Sequence, residues 1–217
     1  MVVQEISAII IGYLLGSIPT AYIITRLIKK QDIRRLGGGN VGSLNTIKSV
    51  GKLPGLLVGL IDIGKGAAAV VIAFYGLGVP PLFVMLAGFF SIVGHMWMIF
   101  LKFSGGRGMG PMVGSIVTVL CIYADWVGLG IYLFLILVPM AVTRNVPLSM
   151  TLSLVGLPFI AWFTTHAATP TIMAVATGLL TGGKFLPTGL KDLRALRAKR
   201  KGISQGNTSD EQHNKAA

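Results

Sequence analysis

Apolar residues recur along this chain in long runs separated by short polar or glycine- and proline-containing breaks. Since a membrane-spanning helix needs ~20 mostly apolar residues, we predict an all-α, polytopic membrane helix bundle of about seven transmembrane helices. The predicted spans are 6–28, 53–75, 82–101, 109–123, 126–143, 148–165 and 171–186. The fourth is short, and only residues 124–125 separate it from the fifth. A five-span arrangement, in which one short hairpin does not cross the membrane, therefore stays open.

Basic residues alternate with these runs and predict the topology. Seven Lys and Arg lie within residues 26–52 and seven within 184–201, whereas the breaks at 76–81, 124–125 and 166–170 contain none. Cationic loops stay on the cytoplasmic side during insertion. The pattern predicts an N-out, C-in protein, and the five-span alternative has the same sidedness.

Composition excludes an ordinary soluble domain. The 217 residues are 53% hydrophobic and only 12% charged, with a net charge of +12. Because the excess positive charge lies in loops and tail beside apolar spans, it favours anionic lipid head groups over nucleic acid as the partner. We expect a transmembrane domain over 1–187, a basic amphipathic segment at the cytoplasmic face over 188–201, and a polar, disordered tail over 202–217.

Three glycine-rich stretches on the predicted cytoplasmic face, at 37–45, 105–108 and 62–66, are candidates for binding an anion. Glycine lets backbone N–H groups approach an anion closely, and a helix N-terminus favours negative charge. A flexible loop or a tight turn would have the same composition, so each stretch alone is a weak signal. The candidate residues are Gly38, Gly39, Asn40, Asn45 and the nearby Lys48 in the first stretch, and Gly105, Gly106, Arg107 and Gly108 in the second.

Three titratable residues lie inside predicted spans. Asp62 and Lys65 share a helix face at i, i+3 and can form an ion pair, and each charge would cost roughly 2.5–3.5 kcal/mol in a span if unpaired. Gly64 and Gly66 flank the lysine and thin the helix. His95 lies late in the third span. A structural ion pair and a buried bundle histidine are the alternatives to a functional site. No set of residues has metal-ligand spacing, so we expect no metal centre.

Four segments, in this order, carry a family resemblance: GSIPT at 16–20, GGGNVGSLN at 37–45, DIGKG at 62–66 and GHMWMIFLKFSGGRG at 94–108. Over nearly the whole chain the sequence resembles the membrane-integral acyl-phosphate:glycerol-3-phosphate acyltransferases (the PlsY family). The family patterns are G-S-I-P, G-S-G-N-x-G-A-T-N-x-x-R, D-x-x-K-G and G-H-x-x-P…F-x-G-G-K-G. A T-R-x-x-S-L loop is similar to the segment at 143–148.

The resemblance implies seven helices, a multi-pass protein of the cell membrane and a cytoplasm-facing site. The implied reaction transfers a fatty acyl group from acyl-phosphate to the 1-hydroxyl of glycerol 3-phosphate, giving lysophosphatidic acid for phospholipid synthesis without a cofactor. Asp62, Lys65, His95 and Arg107 are then the expected catalytic residues. The expected phosphate-binding residues are Gly38, Gly39, Asn40, Asn45, Lys48, Gly105, Gly106, Gly108 and Arg144.

The chain departs from the family pattern at several positions. Gly38 replaces a serine, Lys48 an arginine, Arg107 a lysine and Pro147 a serine. A His-x-x-Asn after the last span is missing. Two other functions therefore stay open: a differently specific or inactive paralogue that binds lipid or anions, and a transporter that uses the intramembrane charges. No internal repeat favours the transporter, and no His-x-x-x-x-Asp motif favours a CoA-dependent acyltransferase.

Overall fold

The computed structural model describes residues 1–184. Met1–Thr181 form one compact unit, which contains the elements discussed below. Residues 168–184 are helical up to the last described position. The segments predicted over 188–201 and 202–217 lie outside the described residues. The other α-helices are α1 (Val2–Ser17), α2 (Thr20–Lys29), α3 (Ser43–Ser49), α4 (Lys52–Val71), α5 (Pro81–Met96), α6 (Met109–Ile122), α7 (Trp126–Thr143) and α8 (Val146–Thr165).

Within residues 1–184, five helical segments are long and apolar enough to cross a membrane: Val2–Lys29, Lys52–Gly76, Pro81–Leu101, Trp126–Thr143 and Val146–Thr165. Their outward side chains include Leu27, Leu53, Val142 and Phe163, each at least 70% exposed, as lipid-facing positions are. The protein is therefore a multi-pass membrane protein with an all-helical fold. The prediction of seven spans depends on α6 and residues 168–184, and the number of crossings stays a prediction.

The span predicted over 6–28 consists of two helices rather than one. α1 ends at Ser17 and α2 begins at Thr20, with Ile18 and Pro19 between them. Proline has no backbone N–H and its ring obstructs the carbonyl four residues earlier, so a helix interior breaks there. The break leaves backbone polar groups inside the membrane region that need partners from other elements.

The helices pack through small residues at two close contacts. At Gly12 and Gly16 of α1, an added Cβ would overlap the backbone carbonyls of Ala87 and Ser91 on α5. Likewise, α4 and α6 touch where a Cβ at Gly66 would overlap the Pro111 carbonyl. Lipid tails are as apolar as leucine, so helices in a bilayer associate through such close packing rather than through the hydrophobic effect.

Connections from different parts of the chain gather at two opposite ends of the bundle. At one end, Arg34 donates from Nη1 to the carbonyl of Leu101 at 3.4 Å, joining the 30–51 connection to the end of the third span. At the other, Thr164 donates from Oγ1 to Asp125 Oδ2 at 2.6 Å. The first end has the basic residues. This separation agrees with the predicted alternation, and the N-out orientation stays a prediction.

α6 is too short to cross a bilayer alone. Its 14 residues extend about 21 Å at 1.5 Å per residue, whereas the hydrocarbon core is ~30 Å thick. The ring of Tyr123, just after α6, lies 6.0 Å from that of Phe74, near the end that holds Asp125. The N-terminus of α6 is therefore recessed below the basic end, and the glycine-rich loop before it extends into the membrane region.

The two glycines beside Lys65 provide a matched test of the packing. An alanine at Gly66 would force α4 away from the Pro111 backbone, whereas Gly64 has no neighbouring atom within 4 Å of an added Cβ. We expect Gly66→Ala to lower the thermal unfolding midpoint in detergent. Gly64→Ala should leave it unchanged or raise it, because alanine is favoured over glycine in helices by about 1 kcal/mol. Equal midpoints for the two variants would contradict the close contact between α4 and α6.

Candidate active site

A buried ion pair lies at the centre of the site. Lys65 Nζ is 2.6 Å from Asp62 Oδ1, and each side chain is 5% exposed. The sequence prediction that these residues pair along one face of a helix is confirmed. Two charges buried in a span are tolerated only when each is compensated by its surroundings, and the neighbouring elements supply that compensation.

The break in the first span provides a partner for the lysine. Lys65 Nζ donates to the carbonyl oxygen of Ile18 at 2.8 Å. This carbonyl lies at the junction of α1 and α2, where Pro19 prevents a continuous helix. The sequence alone does not assign a functional role to Ile18. The GSIP motif, with a proline inside an apolar span, was the available signal, although it does not reveal which partner the exposed carbonyl meets.

The first turn of α6 lies against the carboxylate residue. A Cβ at Gly110 would lie 2.6 Å from the Cβ of Asp62, so only a glycine allows this approach. The N-terminal end of a helix has partial positive charge. Asp62 is therefore placed between the Lys65 ammonium group and the N-terminus of α6.

His95 completes a three-residue cluster at the end of α5. Its Nδ1 is 3.8 Å from Asp62 Oδ1, and the side chain is 4% exposed. Among the described residues, His95 Nδ1 has no hydrogen-bond partner, whereas Asp62 Oδ1 contacts Lys65 Nζ. A buried ring nitrogen without a partner is suited to contacting a polar substrate group, since leaving it unsatisfied costs free energy.

The two glycine-rich loops meet over the histidine. Gly106 donates its backbone N–H to the His95 carbonyl at 2.9 Å. A Cβ at Gly106 would overlap both His95 Nε2 and the carbonyl oxygen of Val41, which belongs to the first loop. A Cβ at Gly105 would likewise overlap the carbonyl oxygens of His95 and Met96. The two glycine-rich stretches, which the sequence placed on one face of the membrane, thus come together beside His95.

Asn45 organises the first loop from within. Its Nδ2 donates to the carbonyls of Leu36 and Asn40, both at 3.0 Å, and its Oδ1 accepts from the backbone N–H of Gly38 at 3.1 Å. The N–H of Gly39 donates to the Leu36 carbonyl. These donors are used inside the loop. In this conformation Asn45, Gly38 and Gly39 shape the loop rather than present donors to a ligand.

The three basic residues predicted to bind substrate phosphate differ in their positions. Arg107 is partly buried in the loop before α6, next to Gly108, whose φ of 79° is in the left-handed region. Lys48 is exposed near the end of α3. Arg144 is exposed at the end of α7, and its side chain makes no hydrogen bond or ion pair within residues 1–184. Arg107 is thus the predicted cation whose loop contacts the buried cluster.

The family model for glycerol-3-phosphate acyltransferases matches residues 6–185. The chain belongs to the glycerol-3-phosphate acyltransferase family.

Individual family members agree with this assignment. Glycerol-3-phosphate acyltransferase 1 of Dehalococcoides mccartyi is 42% identical over 187 residues, which cover 86% of this chain and 90% of the relative. The Shouchella clausii glycerol-3-phosphate acyltransferase is 37% identical over 162 residues, covering 68% of this chain and 79% of that protein.

Crystal structures of the integral membrane glycerol 3-phosphate acyltransferase PlsY (YgiH) also resemble this chain. The glycerol 3-phosphate form has a TM-score of 0.71 at 28% identity, covering 88% of this chain and 92% of that one. The form with lysophosphatidic acid has a TM-score of 0.68 at 26% identity, with the same coverage. The sequence-based assignment to this acyltransferase family is confirmed.

Removing one member of the ion pair tests its role in the family fold. We expect Lys65→Met to reduce stability by ~3–5 kcal/mol, because the Asp62 charge would be left buried without its partner. The double variant Asp62→Asn/Lys65→Met removes both charges and should recover most of the thermal midpoint while remaining inactive. If the single and double variants are as stable and as active as the unmodified protein, the ion pair has neither role.

Proposed function

We propose that this protein transfers an acyl group from an acyl-phosphate to the 1-hydroxyl of glycerol 3-phosphate at the cytoplasmic face of the cell membrane. The products are lysophosphatidic acid and inorganic phosphate. The main support is the buried cluster of Asp62, Lys65 and His95 beneath two glycine-rich loops. Family membership and the two ligand forms of the related PlsY structures support the acceptor and the product.

The proposed step requires positioning more than chemical activation. An acyl-phosphate is a mixed anhydride, so its carbonyl carbon is already electrophilic and phosphate is a good leaving group. The glycerol 1-hydroxyl oxygen bonds to that carbon, and the bond from the carbon to the bridging phosphate oxygen breaks. The departing phosphate takes the electron pair, and the hydroxyl proton passes to a substrate phosphate oxygen. Holding two anionic reactants together is then the main task of the protein.

The cluster suits this task because its positive charge is held in place. Lys65 is fixed between Asp62 and the Ile18 carbonyl, so its ammonium group offers a preorganised charge at low reorganisation cost. We assign to His95 Nδ1, beside Asp62, a hydrogen bond with the reacting groups. Arg107 supplies a guanidinium, which can engage two phosphate oxygens at once.

Arg107 gives the most direct test of the proposal. In proteoliposomes supplied with acyl-phosphate and glycerol 3-phosphate, the unmodified protein should form lysophosphatidic acid and release phosphate. We expect Arg107→Ala to raise the KM for one of the phosphate substrates about 10- to 100-fold, as for loss of a charged hydrogen bond. The KM of Arg107→Lys should lie between those of the unmodified protein and Arg107→Ala. Lysine keeps the positive charge but cannot bind two phosphate oxygens as a guanidinium does.

Lys102→Ala is the matched control, since it removes an exposed cation shortly before the same loop. Its KM values should stay near those of the unmodified protein. Wild-type KM values in Arg107→Ala would refute the phosphate-binding role. Failure of the folded, unmodified protein to form lysophosphatidic acid would refute the proposed activity and favour the inactive or differently specific paralogue.

Gly38 offers a second test, in the direction of gained activity. The family pattern has a serine at this position, and a Cβ here would meet no atom within 4 Å. We expect Gly38→Ser to raise kcat/KM for glycerol 3-phosphate about two- to tenfold, as one added neutral hydrogen bond allows. Gly38→Ala is the control, because it adds the Cβ without the hydroxyl. Equal kcat/KM values for Gly38→Ser and Gly38→Ala would show that a hydroxyl group at this position does not contact the substrate.

A further inference from the structure

A second, strongly basic cavity lies outside the candidate active site. It has a volume of about 560 Å³ and lies where α2 ends, before α3. Its lining includes the cations Arg26, Lys30 and Arg35, together with Tyr22, Asp32 and Leu36. None of these residues belongs to the catalytic cluster, and the proposed acyl transfer does not use them.

The single carboxylate of the cavity is already neutralised. Arg34 donates to Asp32 from Nε at 3.0 Å and from Nη2 at 2.6 Å. The side-chain hydrogen bonds from Arg34 hold the pKa of Asp32 below its usual range. The guanidinium also lies 5.8 Å from the centroid of the Tyr22 ring. The charges of Asp32 and Arg34 therefore cancel. The positive charges of the other three cations lining the cavity, Arg26, Lys30 and Arg35, are left without a carboxylate partner there.

One of these cations is fixed by the end of the helix. Arg26 donates from Nη1 to the carbonyl of Lys30 at 2.8 Å. Lys30 has a φ of 56°, in the left-handed region, and closes the C-terminus of α2. This contact orients the Arg26 guanidinium at the cavity and leaves its other N–H groups available, since a guanidinium has five donors.

The cavity is placed at the level of lipid head groups. Ile23, Leu27 and Ile28 on α2 are 43%, 75% and 55% exposed, as expected for side chains in contact with lipid tails. The cations follow directly at the end of that apolar helix. Basic pockets at this depth attract anionic lipid head groups. We propose that this cavity binds the phosphate of an anionic phospholipid whose acyl chains lie against α2.

Occupancy of the cavity would reach the candidate active site through the backbone. Leu36 lines the cavity, and its carbonyl accepts from Asn45 Nδ2 and from the Gly39 N–H, both at 3.0 Å. These bonds shape the first glycine-rich loop. A lipid phosphate held by Arg35 and Lys30 restrains the segment that leads into this loop. The bound lipid is therefore expected to order the loop and raise the activity of the enzyme.

The test compares two double variants of the full chain. Lys30→Gln/Arg35→Gln removes two cavity cations and keeps the bond from Arg26 to the Lys30 carbonyl. Lys52→Gln/Lys102→Gln is matched, since it also removes two exposed cations, one of them at a residue with φ of 55°. Each protein is purified in detergent and titrated with phosphatidylglycerol or phosphatidylcholine, and retained lipid is counted by native mass spectrometry.

We expect the unmodified protein and the Lys52/Lys102 control to retain one phosphatidylglycerol with similar affinity. The Lys30/Arg35 variant should bind it at least about tenfold more weakly, as loss of two head-group cations implies. Phosphatidylcholine should bind weakly to all three. Hydrogen exchange should show protection of residues 36–45 on adding phosphatidylglycerol, and only in the two proteins with an intact cavity.

Other outcomes would overturn the proposal. Equal losses in both double variants would mean that the lipid responds to net charge and not to this cavity. Competition by millimolar inorganic phosphate or glycerol 3-phosphate, without retained lipid, would identify a soluble phosphate as the ligand instead. Binding without protection of residues 36–45 would refute the coupling to the loop. These readouts do not require acyl transfer, so their failure is distinct from failure of the proposed activity.

Discussion

The burial of two opposite charges inside a membrane-spanning helix is the constraint on which the site depends. Asp62 and Lys65 are stable there because other elements supply partners: the Ile18 carbonyl binds the ammonium group, and the first turn of α6 lies against the carboxylate residue. Each partner exists because a neighbouring helix is interrupted or begins within the membrane region. Irregular backbone at such depth is tolerated only where protein groups satisfy it.

Close helix packing converts this electrostatic requirement into a fixed geometry. Glycine at 66 brings α4 against the backbone of α6, and glycine at 16 brings α1 against α5. These contacts hold α1 against α5, and α4 against α6, at backbone contact distance. The four helices carry the buried charges or adjoin the groups that compensate them. Side-chain flexibility contributes little to such positions, so the distances within the cluster are set mainly by main-chain contacts.

The sequence predicted the helical membrane fold and the residues of the cluster, because apolar runs and intramembrane charges are local signals. It did not predict how the loops use their donors. Glycine-rich composition suggested that the N–H groups of Gly38 and Gly39 face an anion, but both donate inside a loop organised by Asn45. The sequence also did not predict the role of the Ile18 carbonyl, because every residue has a backbone carbonyl and the residue type does not show which one meets Lys65. Such pairings depend on contacts between distant segments, which periodicity and spacing do not encode.

The shortness of α6 has a consequence for the energetics of substrate delivery. The first turn of α6 packs against Asp62, ten residues into α4, so the buried cluster with His95 lies below the basic end of the bundle. In the reaction proposed above, a long-chain acyl-phosphate, whose reactive carbon is next to its phosphate, would meet such a site while its tail stays among the lipids. Withdrawing a chain of about 15 methylenes into water would cost roughly 12 kcal/mol at ~0.8 kcal/mol per CH₂. In the proposed reaction, a recessed reaction centre avoids that desorption step in every turnover.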